Sequence, residues 1–148
     1  MLTQAMPADE AALVALFDAG FADYASGLGR ESLSRVSWVR GAIAAGGAFW
    51  VSGTQVAAIV ERDGTTLKLD ALVVHPDAQR AGLGRAGLSA IEDHARSTGA
   101  TEVALLTAQA FTHLVAFYSS AGYRVLSVGP HPKGRDDRLR VFLVKSLV

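Results

Sequence analysis

The segment that invites chemistry runs Leu72-Val-Val-His-Pro-Asp-Ala-Gln-Arg-Ala-Gly-Leu-Gly-Arg85: an apolar strand pattern, a turn at Pro76, then glycines at the start of a helical pattern. The first N–H groups of a helix have no partner within it and carry the positive end of its dipole, so a phosphate fits there when no side chain obstructs it. Gly82 and Gly84 remove that obstruction. Arg80 and Arg85 flank the loop and can add charge-assisted bonds to a pyrophosphate, while Gln79 can donate from its amide. An isolated glycine pair beside solvated arginines is more often an ordinary helix start, so the surrounding sequence has to decide.

Other chemistries fit less well. Gly82, Gly84 and Gly87 satisfy G-x-G-x-x-G, but the dinucleotide fingerprint begins directly after a strand and needs an acidic residue at the end of the next one. Here His75 to Ala81 intervene, and Glu102 opens the following strand. The four histidines, His75, His94, His113 and His131, show no metal-ligand spacing, and the chain has no cysteine. No metal, disulfide or thiolate nucleophile is therefore expected. Gly87-Leu-Ser89 lacks the later glycine that a nucleophile elbow requires.

The elements that must carry the loop follow from hydrophobic period. Ala12, Leu13, Leu16 and Phe17 share a helical face after Met6 and Pro7, with Gly20 following; Leu33, Val36, Val39, Arg40 and Ile43 repeat the period before Gly46 and Gly47. Ala48 to Ser52, Val56 to Arg62 and Thr65 to Val74 read as a three-strand antiparallel meander with hairpin turns at Gly53-Thr54 and Asp63-Gly64. A helix then sets Leu88, Ile91 and Ala95 opposite Ser89, Glu92 and Arg96 and ends before Gly99; Glu102 to Thr107 is a short strand. Thr112 can cap a last helix that Gly122 stops, and Tyr123 to Val128 and Leu139 to Val148 close the chain as strands. With a very short strand at Leu2 to Gln4 in front, the order is (β)ααβββαβαββ, a mixed-sheet α/β or α+β fold.

Composition narrows the functions. At 148 residues, with no linker or repeat, the chain is expected to be one domain, 1–148. Lys plus Arg and Asp plus Glu are 14 each, so no global field draws a polyanion and a nucleic-acid partner is not expected. Half the residues are hydrophobic, yet no apolar run approaches the ~20 needed to cross a bilayer, and Met1 to Met6 lacks the basic start of a secretion signal. A soluble, cytoplasmic protein with no membrane partner is the expectation.

Val74-His-Pro-Asp-Ala-Gln-Arg-Ala-Gly-Leu-Gly-Arg85 resembles the acyl-coenzyme A signature of the GNAT superfamily of N-acyltransferases: Gln or Arg, two residues, Gly, one residue, Gly or Ala. Gln79, Gly82 and Gly84 fit it. Ala116-Phe-Tyr-Ser-Ser-Ala-Gly-Tyr123 resembles the second signature of that family, Phe-Tyr, three residues, Gly, aromatic, and Val141-Phe-Leu-Val-Lys-Ser-Leu147 resembles its closing strand. The order of elements is also that of the family. The resemblance implies a mostly antiparallel central sheet flanked by about four helices, splayed beside Leu72 to Val74. It also implies acetyl-coenzyme A as co-substrate, its pantetheine arm bonded to the backbone of Leu72, Val73 and Val74. The pyrophosphate would lie on Gln79, Arg80, Ala81, Gly82, Leu83, Gly84 and Arg85. Phe111 stands where many members carry an asparagine that contacts the cofactor, and Leu114 replaces a residue that is often small.

Members of that family usually transfer directly: a neutral amine attacks the thioester, an oxyanion forms and coenzyme A leaves as thiolate or thiol. Backbone N–H groups near Val73 and Val74 can polarise the carbonyl. Tyr118 falls where the family's tyrosine gives a proton to the leaving sulfur, and a phenol, with a pKa near ~10, keeps that proton at neutral pH. The competing reading is an aromatic that packs its helix against the sheet. No carboxylate stands where some relatives hold a base; Lys68 is there instead. Asp70, on the same strand face by alternation, and His75 at the strand end are the candidate bases, set against an Asp70–Lys68 pair and a turn role for His75.

The acceptor is expected to be a primary amine on a small molecule or protein. Trp38, Trp50, Phe21 and Tyr24 are core by default, and an aromatic wall of its pocket otherwise. Arg135, Asp136, Asp137, Arg138 and Arg140 read as a solvated face, with capture of a substrate carboxylate as the sharper alternative. The resemblance suggests a homodimer through the closing strands. Two other readings stand beside catalysis: an acyl-coenzyme A sensor and a partner-binding domain.

Overall fold

A computed structural model describes residues 2–27, 35–79, 82–108, 112–132 and 139–148, and their side chains except at 22–27, 52 and 108. The strands are β1 (Thr3–Gln4), β2 (Ala48–Ser52), β3 (Val56–Asp63), β4 (Thr66–Val74), β5 (Glu102–Ala108), β6 (Arg124–Pro130) and β7 (Leu139–Ser146). The helices are α1 (Glu10–Gly27), α2 (Val36–Ala44), α3 (Leu83–Ser97) and α4 (Thr112–Ser120), with 3-10 turns at Pro7–Asp9 and Pro76–Ala78. The strands follow the order β1-β2-β3-β4-β5-β7-β6 in a seven-stranded mixed sheet. Two compact units divide the chain: Met1–Glu61 with Leu69–His94, and Arg62–Lys68 with Ala95–Val148.

In the first unit the 3-10 turn ahead of α1 begins with Pro7, whose missing N–H costs nothing there. The Met6 N–H donates to the Asp9 carboxylate at 2.8 Å. Leu13, Leu16 and Phe17 of α1 and Val39 of α2 share a buried core with Ala48, Ala57, Ile59, Ala71 and Val73 of the strands, and Phe21, Trp38 and Trp50 pack against it. Phe17 meets Trp38 edge-on, ring centroids 5.1 Å apart. These three aromatics are thus packing residues; Tyr24 and Leu33 lie outside the described side chains. Polar ties join the helices where they leave the core: Arg40 forks onto the Glu10 carboxylate at 2.7 and 3.1 Å, and Arg35 donates to Asp18 at 2.6 Å.

Two expectations are corrected. The glycine-stop reading ended α1 at Gly20, but the helix continues to Gly27. Gly20 faces the sheet so closely that a Cβ there would overlap Val73 Cγ2, so the residue records helix-on-strand packing rather than a helix end. Glu92, expected on the solvent side of α3, is 6% exposed; its i−4 and i−1 neighbours, Leu88 and Ile91, are buried as well, so the apolar stripe includes its position.

In the second unit β5 pairs antiparallel with β7 from Glu102↔Ser146 to Ala108↔Arg140, and β7 pairs antiparallel with β6. The start of β4 adds the parallel element, with Thr66, Leu67 and Lys68 beside Glu102, Val103 and Ala104. Arg62 braces this end, donating to the Gly64 carbonyl and to the hydroxyl and carbonyl of Thr98 at 2.8–3.0 Å. No helix among the described residues is long and apolar enough to cross a membrane.

Candidate functional site

The end of β4 lies in the first unit and is held by its own neighbours. The His75 N–H donates to the Gln55 carbonyl at 2.7 Å, and the Val74 carbonyl accepts from Gln79 Nε2 at 3.2 Å. Leu72, Val73 and Val74 therefore run into a fixed terminus. His75 then caps the 3-10 turn: its Nδ1 accepts from the Asp77 N–H at 3.1 Å, with the Asp77 carboxylate 3.7 Å away. The turn role weighed for His75 is present in this geometry, and only Nε2 is left for any other work.

Gly82 follows at φ +76°, in the left-handed region that suits glycine. Among the described residues beyond its chain neighbours, no heavy atom lies within 4 Å of where its Cβ would stand. The Ala86 N–H donates to the Gly82 carbonyl at 3.1 Å, closing the first turn of α3. Helical geometry gives the N–H groups of Leu83 and Gly84 no partner inside the helix. Arg85 is exposed, while Leu83 and Gly84 are half-buried; Arg80 and Ala81 lie outside the described residues. Gln79, read as a phosphate donor, uses one amide hydrogen on Val74 and retains a second. The remaining glycine of the accidental fingerprint has a packing role: a Cβ on Gly87 would meet Val56, Leu72 and Val51 methyl groups at 3.3–3.5 Å.

Tyr118 is in the second unit, on α4. Gly122 at φ +98° ends the helix; the Gly122 N–H donates to the Ser119 carbonyl, and the Tyr123 N–H to the Tyr118 carbonyl, both at 3.1 Å. That is the Schellman arrangement, and its usual hydrophobic contact is supplied by the half-buried Tyr118 ring against the buried Tyr123 ring, centroids 5.7 Å apart. Lys145 of β7 donates to the Ala121 carbonyl at 2.9 Å and sits over the Tyr123 ring, a cation at the negative end of the helix. The second signature thus has a structural meaning whatever the hydroxyl does.

Asp70 is exposed on β4. Lys68, weighed as its partner, lies 3.4 Å from Asp63. Leu114 is half-buried on α4, and Phe111 and residues 133–138 lie outside the described residues; Arg140, placed on a solvated face by its sequence, is 1% exposed in β7. Among the described residues no group of three His, Cys, Asp or Glu side chains could hold a metal ion. Sequence reading passed over Gln55, Gly87 as a packing residue and Lys145. Each acts through a contact distant along the chain, and only Gly87 left a local trace, as a glycine inside a helical pattern.

A strand running into a glycine-opened helix, within a mixed sheet of this order, defines a class, and comparison with known proteins agrees. Residues 10–123 match the Acetyltransferase (GNAT) family, so the chain belongs to the GNAT acetyltransferase family. Among solved structures, the ribosomal-protein-S18-alanine N-acetyltransferase from Escherichia coli is similar at a TM-score of 0.77 and 17% identity, over 99% of this chain and 93% of that one. An aminoglycoside 6'-N-acetyltransferase complexed with coenzyme A gives 0.76 and 16%, over 100% and 97%. The PaiA N-acetyltransferase from Thermoplasma acidophilum, in complex with coenzyme A, gives 0.73 and 13%, over 99% and 98%. At these identities the likeness is one of fold. No curated protein sequence matches the chain.

Proposed function

We propose that the protein is an N-acetyltransferase that moves the acetyl group of acetyl-coenzyme A to a primary amine of a small molecule or protein, by direct attack in a ternary complex. The observation that carries this reading is the opening of α3, where the space at Gly82 is clear among the described residues and a helix begins, whose first N–H groups suit an anion. These residues fit a pyrophosphate. Leu72, Val73 and Val74 offer strand backbone for the pantetheine arm, and Gln79, Gly82, Leu83, Gly84 and Arg85, with Arg80 and Ala81, form the proposed phosphate loop. Bound acetyl-coenzyme A supplies the acetyl group as an activated thioester.

Tyr118 is the proposed general acid, a role its place in the second family signature supports. Asp70 is the better remaining candidate for relaying the proton of the amine, because His75 Nδ1 is engaged by Asp77. No metal enters this scheme, and the cytoplasm is the proposed location. The two solved relatives named with coenzyme A in their structures, and the relatives named for ribosomal-protein and aminoglycoside acetylation, support donor and acceptor classes without selecting an acceptor.

A second copy of the chain is the proposed partner of β6. This strand stands at the end of the sheet order and exposes Val125, Leu126 and Val128, the kind of edge that another strand covers. Size-exclusion chromatography with light scattering checks it, and a monomer mass removes it.

The test of the main reading is calorimetric titration with acetyl-coenzyme A of the wild type and of Gly82→Glu, whose added carboxylate should exclude the pyrophosphate. Binding lost in the variant, followed by thiol release with an amine panel, is the expected result. A folded wild type that does not bind sinks the reading and leaves a partner-binding domain; binding without thiol release leaves an acyl-coenzyme A sensor.

A further inference from the structure

The end of β4 is gripped from both faces by helices that carry glycine at the point of contact. Val73 points to the α1 side, where it belongs to the core that includes Phe17 and Leu13. Leu72, the adjacent residue, points to the other face by strand alternation. On the first face Gly20 of α1 approaches so closely that a Cβ would overlap Val73 Cγ2 and lie 3.6 Å from the Val74 carbonyl oxygen. On the second face Gly87 of α3 approaches so closely that a Cβ there would stand 3.3–3.5 Å from methyl groups of Val56, Leu72 and Val51, the Leu72 Cδ1 at 3.4 Å.

The sizes show that this is a fitted contact. Earlier along α1 the helix contributes large residues, Leu13, Leu16 and Phe17, to a core in which the strands contribute three alanines, Ala48, Ala57 and Ala71, beside Ile59. At Gly20 the relation reverses: the helix gives no side chain and the strand gives valine. Glycine inside a helix is disfavoured relative to alanine, so a glycine here is explained by the approach it permits. The gripped residues, Leu72 to Val74, are the ones whose backbone the proposed function assigns to the acyl donor, and their far end is tied by Gln55 and Gln79.

We propose that Gly20 and Gly87 are positioning residues for the donor strand, setting by helix contact where the Leu72–Val74 backbone lies. This rests on the acetyltransferase reading. The test is acetyl-coenzyme A titration of wild type, Gly20→Ala, Val73→Ala and the double variant Gly20→Ala/Val73→Ala, with amide hydrogen exchange at His75 measured in the ligand-free proteins. Gly20→Ala should weaken binding roughly tenfold, since small displacements of positioned groups are costly. The double variant should recover most of it, because removing the Val73 methyls makes room for the new one.

Recovery of affinity in the double variant, although Val73→Ala alone lowers stability, is an outcome that a merely structural role does not give. Equal affinity in Gly20→Ala and wild type overturns the proposal, as does equal weakness of the single and double variants. If the folded wild type binds no donor, the acetyltransferase reading has failed by itself. The grip is then judged from the His75 amide: faster exchange in Gly20→Ala, restored in the double variant, supports it, and unchanged exchange overturns it. Should Gly20→Ala not fold, Gly87→Ala carries the test, since its methyl meets only side-chain methyls. Weakened binding or faster His75 exchange supports the grip, and wild-type values for both overturn it.

Discussion

Tyr118 and Tyr123 form the two aromatic ends of one helix cap: the Tyr123 N–H bonds the Tyr118 carbonyl, and the rings meet at 71° with centroids 5.7 Å apart. A proposed proton donor is thereby held by its ring at the end of its helix. Tyr118→Phe keeps the ring and removes the proton. It should leave the melting temperature within about 2 °C, less than ~1 kcal/mol for a chain of this size, and leave coenzyme A binding intact. Turnover should fall by roughly 10²-fold or more, the usual scale for a lost general acid. Unchanged turnover would falsify the acid role and leave Tyr118 as the packing half of the cap.

The cap itself predicts a separate effect. Gly122 holds φ +98°, and an L-residue in a left-handed conformation costs about 1–2 kcal/mol. Gly122→Ala should therefore lower the melting temperature by several degrees, roughly 2–8 °C. A Cβ there also meets Lys145 Cε at 3.3 Å, but that flexible end can move aside. Calorimetry showing no loss of stability would mean that α4 ends without depending on this conformation.

For His75 the geometry predicts a result that separates turn from base. Asparagine can also accept the Asp77 N–H at a cap position, but it cannot take up a proton near neutrality. His75→Asn should keep both stability and the shape of the pH–rate profile between about pH 5 and 8, where a histidine base would show. Loss of the acidic limb of that profile would return His75 to the chemistry and displace Asp70.

What was legible in the sequence followed from signals that act locally. Gly46 terminates α2 as read, with its N–H on Ile43 and the Gly47 N–H on Ala42, because a glycine-closed helix end is built from neighbouring residues. The opening of α3 was legible for the same reason: a strand, a proline turn and two glycines are contiguous. Gly20 was misread because a glycine ending a helix and a glycine facing a strand look alike until Val73 is brought beside it. Glu92 was misplaced because its charge argued for solvent, whereas its helical phase belongs with Leu88 and Ile91. Lys145 could not be read as a cap, since its partner is Ala121, brought near by the β6–β7 pairing.

The contact between α1 and α2 gives the molecule a defined response to acid. The hydrogen bonds from Arg40 hold the Glu10 carboxyl below the ordinary glutamate range, helped by the charge of the guanidinium and opposed by some desolvation. The same bonds push Arg40 up. A lowered folded-state value means that Glu10 stabilises the fold fully above its unfolded value, roughly pH 4.3. That contribution is lost as pH falls through the lower folded value. Arg40 has the opposite sign, contributing fully below its unfolded value and losing that contribution only at extreme alkalinity, so it adds no change in the working range. Glu10→Gln should accordingly lower the melting temperature at pH 7, while variant and wild type converge below about pH 4. Because the pair is open to solvent, the difference at pH 7 should also shrink in about 1 M salt, where charges are screened within ~3 Å. A difference that persisted unchanged at pH 3 would show that the ionised carboxylate is not what Glu10 contributes.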